Sequence, residues 1–242
     1  MGKTKGQDAA EKLPYGQLMR GAPLAIAGCV ATGLIGGAFY ALVPAWMQDE
    51  GIERETIALA MLVAVVGGLA FQVPVGRISD RFDRRIVLAA LGFGFAGSAV
   101  ALVHLPESKP IILSVAGLLG GFMSILYPVC VAYAHDLMPA DRVVAVSGHL
   151  ILISGLSSVV GPLISTNVMA RAGINGLFYF MAASAVLFAL LAAGWSMVIA
   201  APRHLRRSFE ILAPQAASLA HDQLGSSSDI PPDSIEVAPE EQ

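Results

Sequence analysis

The sequence predicts an all-α, polytopic membrane protein with six membrane-spanning helices. Three observations carry that expectation. Hydrophobic residues make up 55% of the 242-residue chain and charged residues only 14%, against about 25% charged in a soluble domain. Six apolar runs each reach the roughly 20 residues that cross the hydrocarbon core of a bilayer. Charge is confined to the ends of those runs and the segments between them, and basic residues gather at every second connector.

The runs fall near residues 23–47, 56–78, 86–105, 110–134, 143–168 and 176–201. Residues 1–22 form a polar, basic lead-in or linker with Lys3, Lys5, Lys12 and Arg20. The connectors Gln48–Glu55, Ser79–Arg85, Pro106–Lys109, His135–Arg142 and Met169–Asn175 are short. Short connectors between long helices lead us to expect sequential neighbours side by side and antiparallel, with His135 and Asp136 solvated in their loop. Beyond the bundle (23–202), residues 203–242 lose apolar character after about residue 208 and end in Pro239-Glu240-Glu241-Gln242. This composition predicts a largely disordered tail.

Orientation follows from the Lys and Arg count, because short loops rich in these residues stay in the cytoplasm. Twelve of the fifteen fall on one side: the lead-in, Arg77, Arg81, Arg84, Arg85, Arg142, Arg203, Arg206 and Arg207. Arg54, Lys109 and Arg171 fall on the other, with Asp49, Glu50, Glu53, Glu55 and Glu107. Both termini are therefore expected in the cytoplasm.

Small residues recur at helical spacing, with Gly28, Thr32 and Gly36 on one face of the first helix, Gly33 and Gly37 on an adjoining one, and Gly117 and Gly121 in the fourth. Such faces let backbones approach closely in lipid. Pro44, Pro74, Pro128 and Pro162 predict kinks. Cys29 and Cys130 lie inside apolar runs and read as small core residues. No Asp, Glu, Lys or Arg falls at mid-membrane depth, no phosphate-binding Gly-Lys-Ser/Thr loop is present, and no nucleophile–base pair or metal-ligand cluster is visible. The basic residues are topogenic and form no nucleic-acid patch. No enzyme activity, cofactor, metal or nucleic-acid partner is expected.

Between the second and third runs lies Gly76-Arg77-Ile78-Ser79-Asp80-Arg81-Phe82-Asp83-Arg84-Arg85. It resembles the loop motif of the major facilitator superfamily, which lies between the second and third helices of each six-helix half. Gly76, Ser79, Asp80, Arg81, Arg84 and Arg85 match, while Asp83 stands where the family usually has Gly. The resemblance, over residues 14 to 205, is to one half of a transporter. Stretches such as Pro23–Cys29, Gly36–Tyr40 and Gln72–Arg81 are similar to the C-terminal half of bacterial members of the YcaD-like type. It implies a gating role for Gly76, Asp80, Arg81, Arg84 and Arg85, with Asp80 an anion poised to meet the positive N-terminus of a neighbouring helix. Gly76 would let two helices touch.

In the family the central cavity is lined mainly by the first and fourth helices of each half, with contributions from the second and fifth. The polar groups on those helices are Tyr40, Gln72, Ser124, Tyr127, Ser154, Ser157 and Ser158, with His149 near the start of the fifth. Polar groups at membrane depth are costly unless paired, so Tyr40, Gln72, Ser124, Tyr127 and His149 stand as substrate-binding candidates. Packing roles for the same side chains stay open. The resemblance implies transport of a small organic solute across a bacterial inner membrane by alternating access. The partners would be the lipid bilayer and a second six-helix half, either a separate chain or a second copy. The alternatives are a non-transporting accessory subunit and an inactive truncated transporter.

Overall fold

The computed structural model describes residues 21–106, 108–139 and 142–198. The lead-in up to residue 20 and the tail lie outside the described residues. Six helices follow one another: α1 (Pro23–Asp49), α2 (Arg54–Arg81), α3 (Arg84–His104), α4 (Lys109–Leu137), α5 (Val143–Ala172) and α6 (Gly176–Val198). All six are long and apolar enough to cross a membrane. Most run a turn or so past the apolar stretch that announced them. A helix's last turns reach the headgroup region, where charged residues are tolerated and hydropathy no longer marks the end. Gly51 and Gly173 take positive φ in the turns after α1 and α5, a conformation L side chains rarely adopt.

Sequential neighbours are mostly not packing partners, which corrects the expectation drawn from connector length. The dominant pairs are α1 with α5, α2 with α4, and α3 with α6. Phe82–Asp83, the whole link between α2 and α3, joins helices that barely touch beyond it. A short link fixes only where two helix ends lie. What selects partners in lipid is how closely two backbones can approach. A methyl added to Gly33 or Gly37 of α1 would strike the Ser154 or Ser158 carbonyl of α5, and one on Gly161 of α5 would strike the Leu34 carbonyl. Gly67 of α2 meets the Gly117 carbonyl of α4 in the same way, and Gly120 meets that of Ala64. Gly33 with Ser154 and Gly37 with Ser158 rise together in one seam, and Val63 with Gly117 and Gly68 with Ser124 in the other, so α1–α5 and α2–α4 are parallel pairs.

Exchanging α1, α2, α3 for α4, α5, α6 maps these pairings onto themselves, with chain direction reversed. The bundle is thus two inverted three-helix repeats. Prolines mark the same relation: Pro23 and Pro110 open α1 and α4, and Pro74 and Pro162 sit about twenty residues into α2 and α5. The core forms two stacked clusters. One surrounds Phe39, Trp46, Phe95, Leu119 and Phe178, and the other surrounds Cys29, Leu88, Leu126, Cys130, Leu150 and Phe188. At the far end, Trp46 donates from Nε1 to Asn175 Oδ1 at 3.1 Å and meets Phe178 edge-on.

Burial is unequal. About half of the apolar window of α1, α3, α4 and α6 is buried, against 22% of α2 and 17% of α5. Leu62, Val66, Leu69 and Val73 on α2, and Ile151, Leu156, Val159 and Leu163 on α5, are exposed.

Candidate functional site

The short link between α2 and α3 organises the basic end of the bundle. Asp83 takes an extended conformation (φ −62°, ψ 117°) as N-cap of α3, and its carboxylate accepts the Arg85 N–H at 2.9 Å. No positive φ is needed at this position, so Asp serves where the family pattern has Gly. A capping carboxylate is worth about 1 kcal/mol over Ala. Asp83, rather than Asp80, is the acid at this helix N-terminus.

Arg85 is 1% exposed, the largest fully buried side chain of the bundle. Its Nε lies 3.2 Å from Asp83 Oδ1, and its Nη1 donates to the Trp195 carbonyl at 3.1 Å. Trp195 sits in the last turn of α6, where carbonyls have no intrahelical donor. A residue of one helix start thereby caps the end of another. Arg84 spans two further helices. Its Nη2 donates to Asp80 Oδ1 in the last turn of α2 at 3.2 Å, and its Nε is 2.7 Å from Asp136 Oδ2 at the end of α4. His135 Nε2 and Ser147 Oγ, 2.9 Å apart, tie α4 to α5. Five of the six helices are thus joined at one end through Arg84, Arg85 and His135. His135 and Asp136 are therefore bonded rather than merely solvated. Both belong to the last turn of α4, which reaches beyond its apolar run and carries them to α3 and α5.

Gly76 and Arg81 make no such ties among the described residues. Arg81 is exposed, and the Asp80 side chain is 71% exposed despite its bond to Arg84. A Cβ added at Gly76 would meet nothing within 4 Å. Among the described residues Gly76 therefore makes no close helix contact.

The candidate substrate residues divide by helix. Ser154 and Ser158 turn their backbone toward Gly33 and Gly37, and Ser157 packs on Gly33, so these three build the α1–α5 seam. Ser158 also donates to the Gly155 carbonyl at 2.7 Å. Ser124 packs its hydroxyl against Gly68 in the α2–α4 seam. Gly28 meets Cys130 and Phe188 while Gly36 is nearly open, so Gly28, Thr32 and Gly36 form no single contact face. Tyr40 is 53% exposed, Gln72 is exposed, and Tyr127 is half-buried. His149, half-buried, lies on α5 six residues past Val143. Its Nδ1 lies 2.6 Å from the Ala145 carbonyl. A carbonyl only accepts, so Nδ1 carries a proton.

Proline adds a signal the side chains do not carry. Pro44, Pro128 and Pro162 lie inside α1, α4 and α5. Each lacks the N–H that would bond the carbonyl four residues earlier. Those carbonyls belong to Tyr40, Ser124 and Ser158. A small apolar void lies among Thr32, Ile35, Phe95, Met123 and Leu126, and Thr32 Oγ1 donates to the Cys29 carbonyl at 3.0 Å. No group of three metal-ligating residues occurs among the described residues.

Six membrane-length helices in inverted repeats, tied at one end by an arginine–aspartate network, define a polytopic membrane protein of transporter type. The chain belongs to the Major Facilitator Superfamily, whose family pattern matches residues 24–223. It is 30% identical over 174 residues to a protein of Escherichia fergusonii described as an uncharacterized MFS-type transporter YcaD, covering 72% of this chain and 44% of that one. The proteins of the same description from Shigella flexneri serotype 5b and Escherichia coli O139:H28 are 29% and 28% identical over 173 residues, with the same coverage. The chain spans less than half the length of these relatives. Membership of a transporter family points to transport rather than catalysis.

Proposed function

We propose that this chain is one six-helix half of a solute carrier and works against a second half by alternating access. The observation that carries the reading is the unequal burial of the helices. The apolar faces of α2 and α5 lie open while the other four helices are half-buried, and the relatives are more than twice the length matched here. Exposed apolar surface on two helices of one bundle suits a protein partner as well as lipid. The open surround of Gly76 agrees, because a glycine that no described residue crowds leaves room for a neighbour from outside.

In this reading the basic end faces the cytoplasm of a bacterial cell, with the chain in the inner membrane. Gly76, Asp80, Arg81, Arg84 and Arg85 gate the inner side. Arg84 and Arg85 hold α2, α3, α4 and α6 as one rigid body, so that rocking occurs between halves. Tyr40, Gln72, Ser124, Tyr127 and His149 contribute to the solute site, offering acceptors and hydroxyls without fixed charge. A small, neutral organic solute suits that set. The second half is a separate six-helix chain, a covalently continuous one, or a second copy.

Purification from native membranes in mild detergent tests the pairing. A second six-helix body of the same family is expected in a one-to-one complex. An unrelated membrane complex, or the chain alone and inactive, would overturn it. In the active pair, Asp80→Asn is expected to lower uptake while leaving membrane insertion unchanged.

A further inference from the structure

The two repeats carry matching aromatic anchors. Pro23 and Pro110 open α1 and α4, and the residue twenty-three positions after each is a buried aromatic, Trp46 and Tyr133. Each approaches the residue that precedes the third helix of the other repeat. Trp46 donates to Asn175, just before α6. Tyr133 lies within electrostatic reach of Asp83, just before α3, and of Arg85. Asn175 and Asp83 match in their backbones too. The Asn175 carbonyl accepts the Phe178 and Tyr179 N–H groups at 3.1 and 3.4 Å, and the Asp83 carbonyl those of Ile86 and Val87 at 3.0 and 3.2 Å. At the basic end the acceptor is a carboxylate bonded to Arg85. At the far end it is a neutral amide whose oxygen serves the indole.

The far-end bond matters because of what precedes it in α1. Pro44 has no N–H for the Tyr40 carbonyl, so the turn between them is weakened and can bend. Residues 44–49 complete the helix beyond that turn. Met47 is buried there, but apolar contact is not directional. The directional constraint is Trp46, bonded to Asn175 and edge-on to Phe178 with ring centroids 4.7 Å apart. Tyr40 stands on the near side of the same turn, exposed, with its ring edge-on to Phe39.

We propose that Trp46 and Asn175 are positioning residues for the solute site. Their hydrogen bond holds the end of α1 beyond Pro44 and thereby fixes the Tyr40 ring and the Tyr40 carbonyl left open by the proline. The proposal rests on reading the chain as a carrier half. Its test below needs neither solute nor second half, whereas co-purification tests the carrier, so the two fail separately.

Fluorine NMR of the full chain in mild detergent reads the position of Tyr40, with a fluorotyrosine placed at position 40 alone. The wild type is expected to give a single resonance. Trp46→Phe keeps the ring against Phe178 but loses the N–H, and its resonance should split or broaden. Asn175→Leu should do the same. Asn175→Asp keeps an acceptor oxygen and should retain the single line. Pro44→Ala supplies the missing N–H to the Tyr40 carbonyl, so adding it to Trp46→Phe should return the single line. His104→Phe, which removes the neighbour of Tyr179 at the same end without touching α1, should change nothing.

A tie that only holds the fold would lower the melting temperature and leave this resonance alone. An unmoved line in Trp46→Phe and Asn175→Leu variants that remain helical and monodisperse would therefore overturn the proposal. So would a split line that Pro44→Ala leaves split, because the effect would not then pass through the proline turn.

Discussion

Replacing Gly37 by Ala tests the α1–α5 seam at its tightest point. The added Cβ would lie on the Ser158 carbonyl, 2.7 Å from its carbon and 2.8 Å from Cα. Ordinary carbon–carbon contact needs about 3.5–4.0 Å, so α5 must retreat by about 1 Å. Backbone cannot rotate aside as a side chain does. The same retreat opens the contacts at Gly33 and Gly161, which share the seam. Overpacking of this kind costs roughly 1–3 kcal/mol, or about 3–10 °C in Tm for a chain of this size. Thermal unfolding followed by helical circular dichroism in detergent reads the shift. Gly76→Ala is the control, because a Cβ there meets nothing. It is expected to fall within about 0.5 kcal/mol of wild type, the usual range for surface positions. If Gly37→Ala matched wild type, or Gly76→Ala lost as much stability as Gly37→Ala, the helix pairing described above would be wrong.

Three further outcomes follow from the basic end. Arg85→Met leaves Asp83 and the Trp195 carbonyl without their buried partner and should cost about 2–4 kcal/mol in the same melt; Arg85→Lys should not rescue it, because a lysine cannot bond both groups in the forked geometry of a guanidinium. A double-mutant cycle of Arg84→Gln and Asp136→Asn should give a coupling of about 1 kcal/mol, and a value near zero would dissolve the α3–α4 tie. Arg77→Cys, at an exposed position, should react with an impermeant maleimide only after the cell is made permeable, since Cys29 and Cys130 are buried. Labelling of intact cells would reverse the orientation.

The helices were legible in the sequence because lipid imposes a length, and that length is counted directly from the apolar runs. Helix pairing was not. Gly33-x-x-x-Gly37 announced a close contact, but such spacing says that something approaches and not which helix. The short connectors favoured the wrong answer. The internal repeat left a trace in Pro74 and Pro162, too sparse to separate from ordinary punctuation. At the basic end, Arg84 and Arg85 stood out by charge, yet their acceptors did not. Asp136 read as a loop acid because it lies past the end of hydropathy, and a backbone carbonyl such as that of Trp195 has no signature in residue identity. Ser154, Ser157 and Ser158 stood out only as polar groups at membrane depth, with packing roles open. They form the small-residue side of a helix seam, where Ser packs against Gly.

The pairing of two halves is tested most directly by site-specific photocrosslinking in native membranes. A benzophenone–maleimide on Leu156→Cys reports the open face of α5, and one on Leu187→Cys reports the exposed side of α6. The expected result is a protein adduct, to a second six-helix body, at position 156 and lipid adducts alone at 187. Lipid adducts alone at both positions would contradict a half that works against a partner through α2 and α5.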